Sequence, residues 1–297
     1  MEFQDLRAEL DGWLRAEALT VETNLLRRVE ALDFIGFVRE VVRRQRPASP
    51  AYQGLLVEAE MLATTLNGIN AALFARLQEG VRSGLLRGQT LRTYVDQFTD
   101  QGQPTNDHIY TAYDGLDSLV DGLFALSTAP APTLTPTVEM VHCEETPACA
   151  ILDLIDQCAL ESQDVFYDLG SGLGQVVMLV HLLTGVKAKG VEFEPAFCTF
   201  AQQQAAALAL ATVDFINADA RNVDYQDGTV FFLFTPFRGQ ILRDVLARLE
   251  QVAHHHPIRL CTFGSCSPRV ATQAWLRPVS ADPYHEYKLI VFESRSD

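Results

Sequence analysis

Between Leu6 and about Leu126, apolar residues recur at steps of three and four, and almost nothing alternates in the two-residue rhythm of a strand. The spacing predicts helices over 21–44, 51–78 and 90–99, interrupted by Pro47-Ala48-Ser49-Pro50 and by the glycine-flanked stretch 80–88. A further helix carries Ile109, Ala112, Tyr113, Leu116, Leu119, Val120, Leu123 and Phe124 on one face, with Asp107 ahead as its cap. The rhythm then stops. Pro130, Pro132 and Pro136 fall within seven positions, which forbids a helix and favours an extended connection. The expected organisation is an all-helical N-terminal domain over 1–127, a Pro-rich linker over 128–139 and a second domain over 140–297.

Beyond the linker, short β-branched or aromatic runs alternate with helical stretches, as in a parallel sheet with helices on both faces. Strands are expected at 165–167, 187–192, 214–217, 230–234, 259–263 and 287–293, the last an antiparallel edge. Helices are expected at 174–183, 195–210 and 238–252, with a short crossover near 219–225. The fold class is therefore α/β, with a Rossmann-like sheet. The helical half is expected to cover the carboxyl edge of that sheet and shape an acceptor pocket; the alternative is a dimerisation module.

Composition narrows the partners. The 297 residues are 48% hydrophobic and carry a net charge of −15. The densest basic cluster, Arg39, Arg43, Arg44 and Arg46, reads as the solvated end of a helix, so nucleic acid and anionic membranes are disfavoured. No signal-peptide pattern opens the chain, and the apolar run 176–183 is shorter than the roughly 20 residues that span a bilayer. A soluble, cytoplasmic protein is expected. Cys143, Cys149, Cys158, Cys198, Cys261 and Cys266 form no CxxC pair and read as free thiols. His254-His255-His256 reads as a polar loop, because three adjacent side chains cannot face one ion on a regular element. No metal is expected.

The chemistry concentrates after the first strand, in Asp168-Leu169-Gly170-Ser171-Gly172-Leu173-Gly174-Gln175. Alternate glycines let backbone approach a ligand closely. The spacing is G-x-G-x-G, whereas a dinucleotide loop wants G-x-G-x-x-G to seat a pyrophosphate on the helix N-terminus. The leading Asp168 would repel a pyrophosphate but suits the cationic methionine end of S-adenosylmethionine. Glu192 follows 24 residues later at the end of the second strand, where two oxygens can accept both ribose hydroxyls. Asp219 and the Ala220 amide, after the third strand, are placed for an adenine. Thr235-Pro236-Phe237 follows the fourth strand, where nitrogen-directed methyltransferases carry a polar residue, proline and an aromatic to orient the acceptor amine. A plain strand-end turn is the competing reading.

The run from Glu145-Thr146-Pro147 through 151–156 and the glycine loop to Gly190-Val191-Glu192 resembles the cofactor half of the non-SET histone-lysine methyltransferases, the disruptor-of-telomeric-silencing type. The resemblance covers roughly fifty residues and implies a class I methyltransferase sheet. It implies that Glu145 and Thr146 close over the methionine end, that Asp168, Gly170, Ser171, Gly172, Gly174 and Gln175 line it, and that Glu192 holds the ribose. Thr146 before Pro147 also reads as a cap and first-turn pair. Two departures stand out: Thr235-Pro236-Phe237 replaces the family's Asn and aromatic, and its basic nucleosome-binding tract has no counterpart. The expected activity is S-adenosylmethionine-dependent methyl transfer, N-directed, onto a protein side chain or a small molecule. The alternative is a catalytically weak or inactive scaffold that kept the fold.

Overall fold

The computed structural model describes residues 2–45, 49–99 and 114–295. Five helices precede the sheet: α1 (Phe3–Leu14), α2 (Leu25–Arg44), α3 (Pro50–Arg82), α4 (Gly88–Val95) and α5 (Gly115–Phe124). In α3 the buried residues Leu55, Ala59, Ala63, Leu66, Asn70, Leu73, Leu77 and Val81 keep one helical face, and Pro50 opens the helix where no N–H is needed. The helix runs through Gly80, one of the expected break residues. A Cβ there would lie 2.6 Å from Leu86, so this glycine serves a close approach of the chain returning after α3. Asp114 caps α5, accepting from the Leu116 and Asp117 amides while the Asp117 side chain accepts from the Asp114 amide. Asp107, Ile109, Ala112 and Tyr113, expected to belong to this helix and its cap, lie outside the described residues, as do Arg46, Pro47 and Ala48.

The second half contains α6 (Ala148–Cys158), β1 (Val165–Leu169), α7 (Gln175–Thr184), β2 (Lys187–Glu192), α8 (Pro195–Ala207) and β3 (Val213–Asn217). It continues with β4 (Val230–Phe234), α9 (Gly239–Ala253), β5 (Arg259–Phe263), α10 (Ser267–Val270), β6 (Leu276–Pro278) and β7 (Ile290–Ser294). The sheet order is β3-β2-β1-β4-β5-β7-β6. The five strands β1 to β5 are parallel, and β7 runs antiparallel to both β5 and β6. This is the class I methyltransferase sheet. The expected antiparallel edge is corrected in one respect: β7 is internal, and β6 pairs beyond it. Three residues including a proline, with only Leu276 buried, leave too little alternation for β6 to be read from sequence.

Both faces of the central strands β1, β4 and β5 are buried, so their sequences are largely apolar runs. Phe166, Phe232, Cys261 and Val291 face one cluster; Tyr167, Phe231, Leu260 and Phe292 face the other, under α9. The first cluster extends without interruption into the helical half, taking in Leu77 and Val81 of α3, Leu91 and Val95 of α4, and Leu119 and Leu123 of α5. α7 shows why. Every residue from Gln175 to Leu182 is buried, because α4 and α6 cover the side that the sheet does not. Arg92 adds a two-pronged pair with Asp156 (2.7 and 2.9 Å). Among the described residues, the helical half thus rests on one face of the sheet rather than over its carboxyl edge.

Candidate functional site

At the end of β1 the chain turns through Gly170, Gly172 and Gly174 into α7, with φ of +91°, +51° and +85°. These are left-handed values that side chains with a Cβ adopt at a cost. Space excludes a Cβ as well: at Gly170 it would lie 2.2 Å from Pro236, and at Gly172 2.6 Å from the Cys143 sulfur. The Gly170 and Ser171 amides both donate to the Val191 carbonyl (2.8 and 3.0 Å), fixing the turn beside β2. The Ser171 hydroxyl is buried with no hydrogen-bond partner among the described residues.

A cavity of about 320 Å³ opens above this turn, at the carboxyl ends of β1, β2 and β4. That is the switch point of the sheet, where the strand order reverses. Its lining brings together Glu145, Thr146, Asp168, Gly170, Ser171, Gly172, Gln175, Glu192, Asp219, Ala220, Pro236 and Phe237. Of the site residues expected from sequence, Gly174 and Thr235 stand outside the lining. Gly174 instead packs under the turn, where a Cβ would meet Phe215 at 2.5 Å. Among the described residues, none before Pro132 lines the cavity, so the described part of the helical half does not build it.

Among the described residues, six carboxylates line the space, those of Glu144, Glu145, Asp168, Glu192, Glu194 and Asp219, and no lysine or arginine does. Asp168 is 3% exposed, and no hydrogen-bond donor among the described residues reaches its carboxylate. Burial, with Glu192 nearby, pushes its pKa up to about 8. Glu192 accepts from the Gly172 amide through Oε2 and from the Glu194 amide through Oε1, each at 2.7 Å. Each oxygen keeps a lone pair for a ligand, and burial raises this carboxyl above its ordinary range. Asp219 is more committed than its sequence suggests. It pairs with Arg221 (2.7 Å) and accepts from that residue's amide (2.9 Å), which holds its pKa low.

The front wall comes from the segment expected to be a linker. Pro132, Leu134, Pro136 and residues 140–146 line the cavity. This strap is held at several points along its length. Thr133 Oγ1 (2.5 Å) and the Leu134 amide (2.7 Å) donate to Glu194. Burial alone would raise the Glu194 carboxyl, but these bonds and the Ala196 amide outweigh it and hold the group at about 2. Glu139 accepts from the Gln240 and Ile241 amides at the start of α9 (2.9 and 3.0 Å). Finally, Met140 bridges Phe237, and the Val141 amide donates to the Pro236 carbonyl at 3.0 Å.

Thr146 does not cap α6. Pro147 takes the cap position, and the Ala148 amide donates to Asp117 of α5 at 2.7 Å. Thr146 contributes its carbonyl instead, accepting from Gln175 Nε2 at 2.8 Å, which ties the strap to the first residue of α7. Thr235 turns its hydroxyl away from the cavity, donating to the Phe263 carbonyl (3.1 Å) and accepting from the Cys266 amide (3.2 Å). Its φ of +42° is a strained value for a β-branched residue, and it swings Pro236 and Phe237 into the wall. Cys143, Met140, Phe197 and Glu194 also line the cavity and were not expected there from sequence. Only Glu194 carried a signal there: an acid directly before Pro195 is a helix-opening pattern, and the side chain accepts from the Ala196 amide at 3.0 Å.

A larger, open groove of about 850 Å³ lies at the other end of the strands, among Glu161, Asp164, Arg259, Arg277 and Glu293. Its charges pair with one another, Arg259 with Asp164 and Arg277 with Glu293, and no glycine turn faces it.

Comparison with known proteins falls on the same region. Residues 136–232 match the histone methylation protein DOT1 family. The match takes in residues 136–146 of the strap, the glycine turn and Glu192, and the resemblance read from sequence stands on it. No curated protein matches the chain. Similar solved structures include an RNA methyltransferase from Salinibacter ruber in complex with S-adenosyl-L-homocysteine, 21% identical over 51% of this chain and 92% of that one, with a TM-score of 0.39. A precorrin-6y C5,15-methyltransferase from Geobacter metallireducens is 14% identical over 53% and 93%, TM-score 0.41. A geranyl diphosphate C-methyltransferase from Streptomyces coelicolor is 18% identical, and the chain spans 48% of its length, with 43% of this chain covered and a TM-score of 0.36.

Proposed function

We propose that the chain is an S-adenosylmethionine-dependent methyltransferase acting on a nitrogen of a protein side chain or a small molecule. The observation that carries this reading is Asp168, a buried carboxylate that no hydrogen-bond donor among the described residues reaches, set against a glycine turn in a cavity that the described residues line with carboxylates and with no lysine or arginine. Such a site favours a ligand with cationic groups and disfavours a pyrophosphate.

The residues fit the donor. Asp168 would take the methionine ammonium, directly or through water, and Glu145 and Thr146 would lie over the same end. Glu192 would accept from the ribose hydroxyls with its remaining lone pairs. Asp219, already paired with Arg221, keeps acceptor capacity for an adenine amino group, with the Ala220 amide beside it. When bound, the donor supplies a methyl group on a sulfonium, which makes the carbon electrophilic. What the protein adds is alignment and exclusion of water, with Phe234, Pro236 and Phe237 shaping the acceptor end. Thr235 acts on that end through the turn it holds, and its hydroxyl is occupied by backbone partners.

The match to a histone methylation family supports a protein side-chain amine as acceptor. The net charge of −15 weighs against the RNA acceptor named for one structural neighbour. A second reading, a donor-binding scaffold without turnover, is favoured by the absence of a free polar side chain at position 235. Titration calorimetry with S-adenosylhomocysteine is expected to show micromolar-range binding that Gly172→Val abolishes. Heat from NADH and none from S-adenosylhomocysteine would sink the donor assignment. Transfer of radiolabelled methyl into fractionated host lysate is the expected sign of turnover; binding without any labelled fraction would support the scaffold.

A further inference from the structure

Cys158 is the last residue of α6, and Cys261 lies at the middle of β5, 103 positions away in sequence. Both side chains are buried, at 1% and 0% exposure. Their sulfur atoms stand 2.7 Å apart. That is closer than two non-bonded sulfurs sit comfortably, and only about 0.7 Å beyond a covalent S–S bond. The approach is imposed by the backbone on both sides. β5 is held between β4 and β7, and Arg259, two residues before Cys261, donates to the Cys158 and Ala159 carbonyls at the end of α6. No hydrogen bond joins any other two cysteines among the described residues.

We propose that Cys158 and Cys261 form an oxidisable pair that closes to an intramolecular disulfide by exchange with a small-molecule disulfide of the glutathione type. One cysteine thiolate attacks a sulfur of the small disulfide and releases one thiol, leaving a mixed disulfide on the protein. The second cysteine thiolate then attacks the protein-bound sulfur and releases the second thiol. The protein loses two electrons and two protons, and the small disulfide is reduced to two thiols. Because both sulfurs are enclosed, exchange runs through local opening of the end of α6 or during folding. The cross-link pins α6 to the sheet at the end opposite Glu145 and Thr146, so it stabilises the support of the cavity wall without entering the cavity.

The test uses the full chain, equilibrated with oxidised glutathione or with dithiothreitol, then unfolded in denaturant with N-ethylmaleimide and mapped without reduction. In the oxidised sample, alkylation is expected at every cysteine except Cys158 and Cys261, which appear as one linked peptide. The unfolding temperature is expected to rise by about 5–10 °C, reversibly with dithiothreitol. Cys143→Ser and Cys149→Ser are expected to keep the rise, and Cys158→Ser and Cys261→Ser to lose it. Alkylation of Cys158 and Cys261 like the other four, stable glutathione adducts in place of the link, or the same rise in Cys261→Ser would each overturn the proposal.

Discussion

At the scale of single residues, Asp168 is the group whose state most directly reports on the site. Its pKa, pushed up to about 8 by burial and by Glu192, lies far above the ordinary aspartate value, so the free protein holds it largely protonated at pH 7. A raised carboxyl pKa contributes stability that is full below about pH 4 and lost as pH rises through about 8. A ligand bearing an ammonium needs the carboxylate, so its binding releases a proton. The affinity for S-adenosylhomocysteine is expected to tighten by roughly tenfold per pH unit between pH 6 and 8 and then level off. Calorimetry in buffers of different ionisation enthalpy measures both the slope and the proton, and Asp168→Asn is expected to flatten the profile and weaken binding. A flat profile in the unmodified protein would remove Asp168 from the ligand contact.

At the scale of elements, the strap over 132–146 joins sequence to site. Its prolines exclude a helix, as expected, but an extended segment has two possible fates, a free connection or a wall, and composition does not distinguish them. The distinction rests on Glu194 and Glu139, whose partners are backbone amides far away in sequence. The same limit explains the other differences. The glycine turn, Glu192 and the first five strands were legible because local spacing encodes them. The turning of Thr235 away from the cavity, the Asp219–Arg221 pair and the edge strand β6 depend on neighbours that no local pattern names. Releasing the strap at one attachment is expected to weaken donor binding while leaving the fold intact. Glu139→Gln keeps the shape of the side chain and removes its charge from the start of α9, and about a five- to twentyfold rise in Kd is expected for it. Equal affinity in the variant, with an unchanged circular dichroism spectrum, would show that this attachment does not shape the site.

At the scale of the whole molecule, the Pro-rich segment divides the chain in sequence while one apolar cluster joins its halves. The 297-residue chain is therefore expected to unfold in a single thermal transition. A chain beginning at residue 128 is expected to aggregate, because the side of α7 that α4 covers would face water. Two resolved transitions in calorimetry, or a monomeric folded fragment in sedimentation, would show that the segment also separates two units of stability.

The all-round burial of α7 has a consequence for how the protein is made. A chain leaves the ribosome from its N-terminus, so α1 to α5 emerge before the glycine turn and α7 exist. The most water-averse helix is synthesised only after the surface that will cover it. Circular permutation that placed residues 140–297 first would reverse that sequence of events, leaving α7 unprotected in the nascent chain and handing the task of shielding it to chaperones.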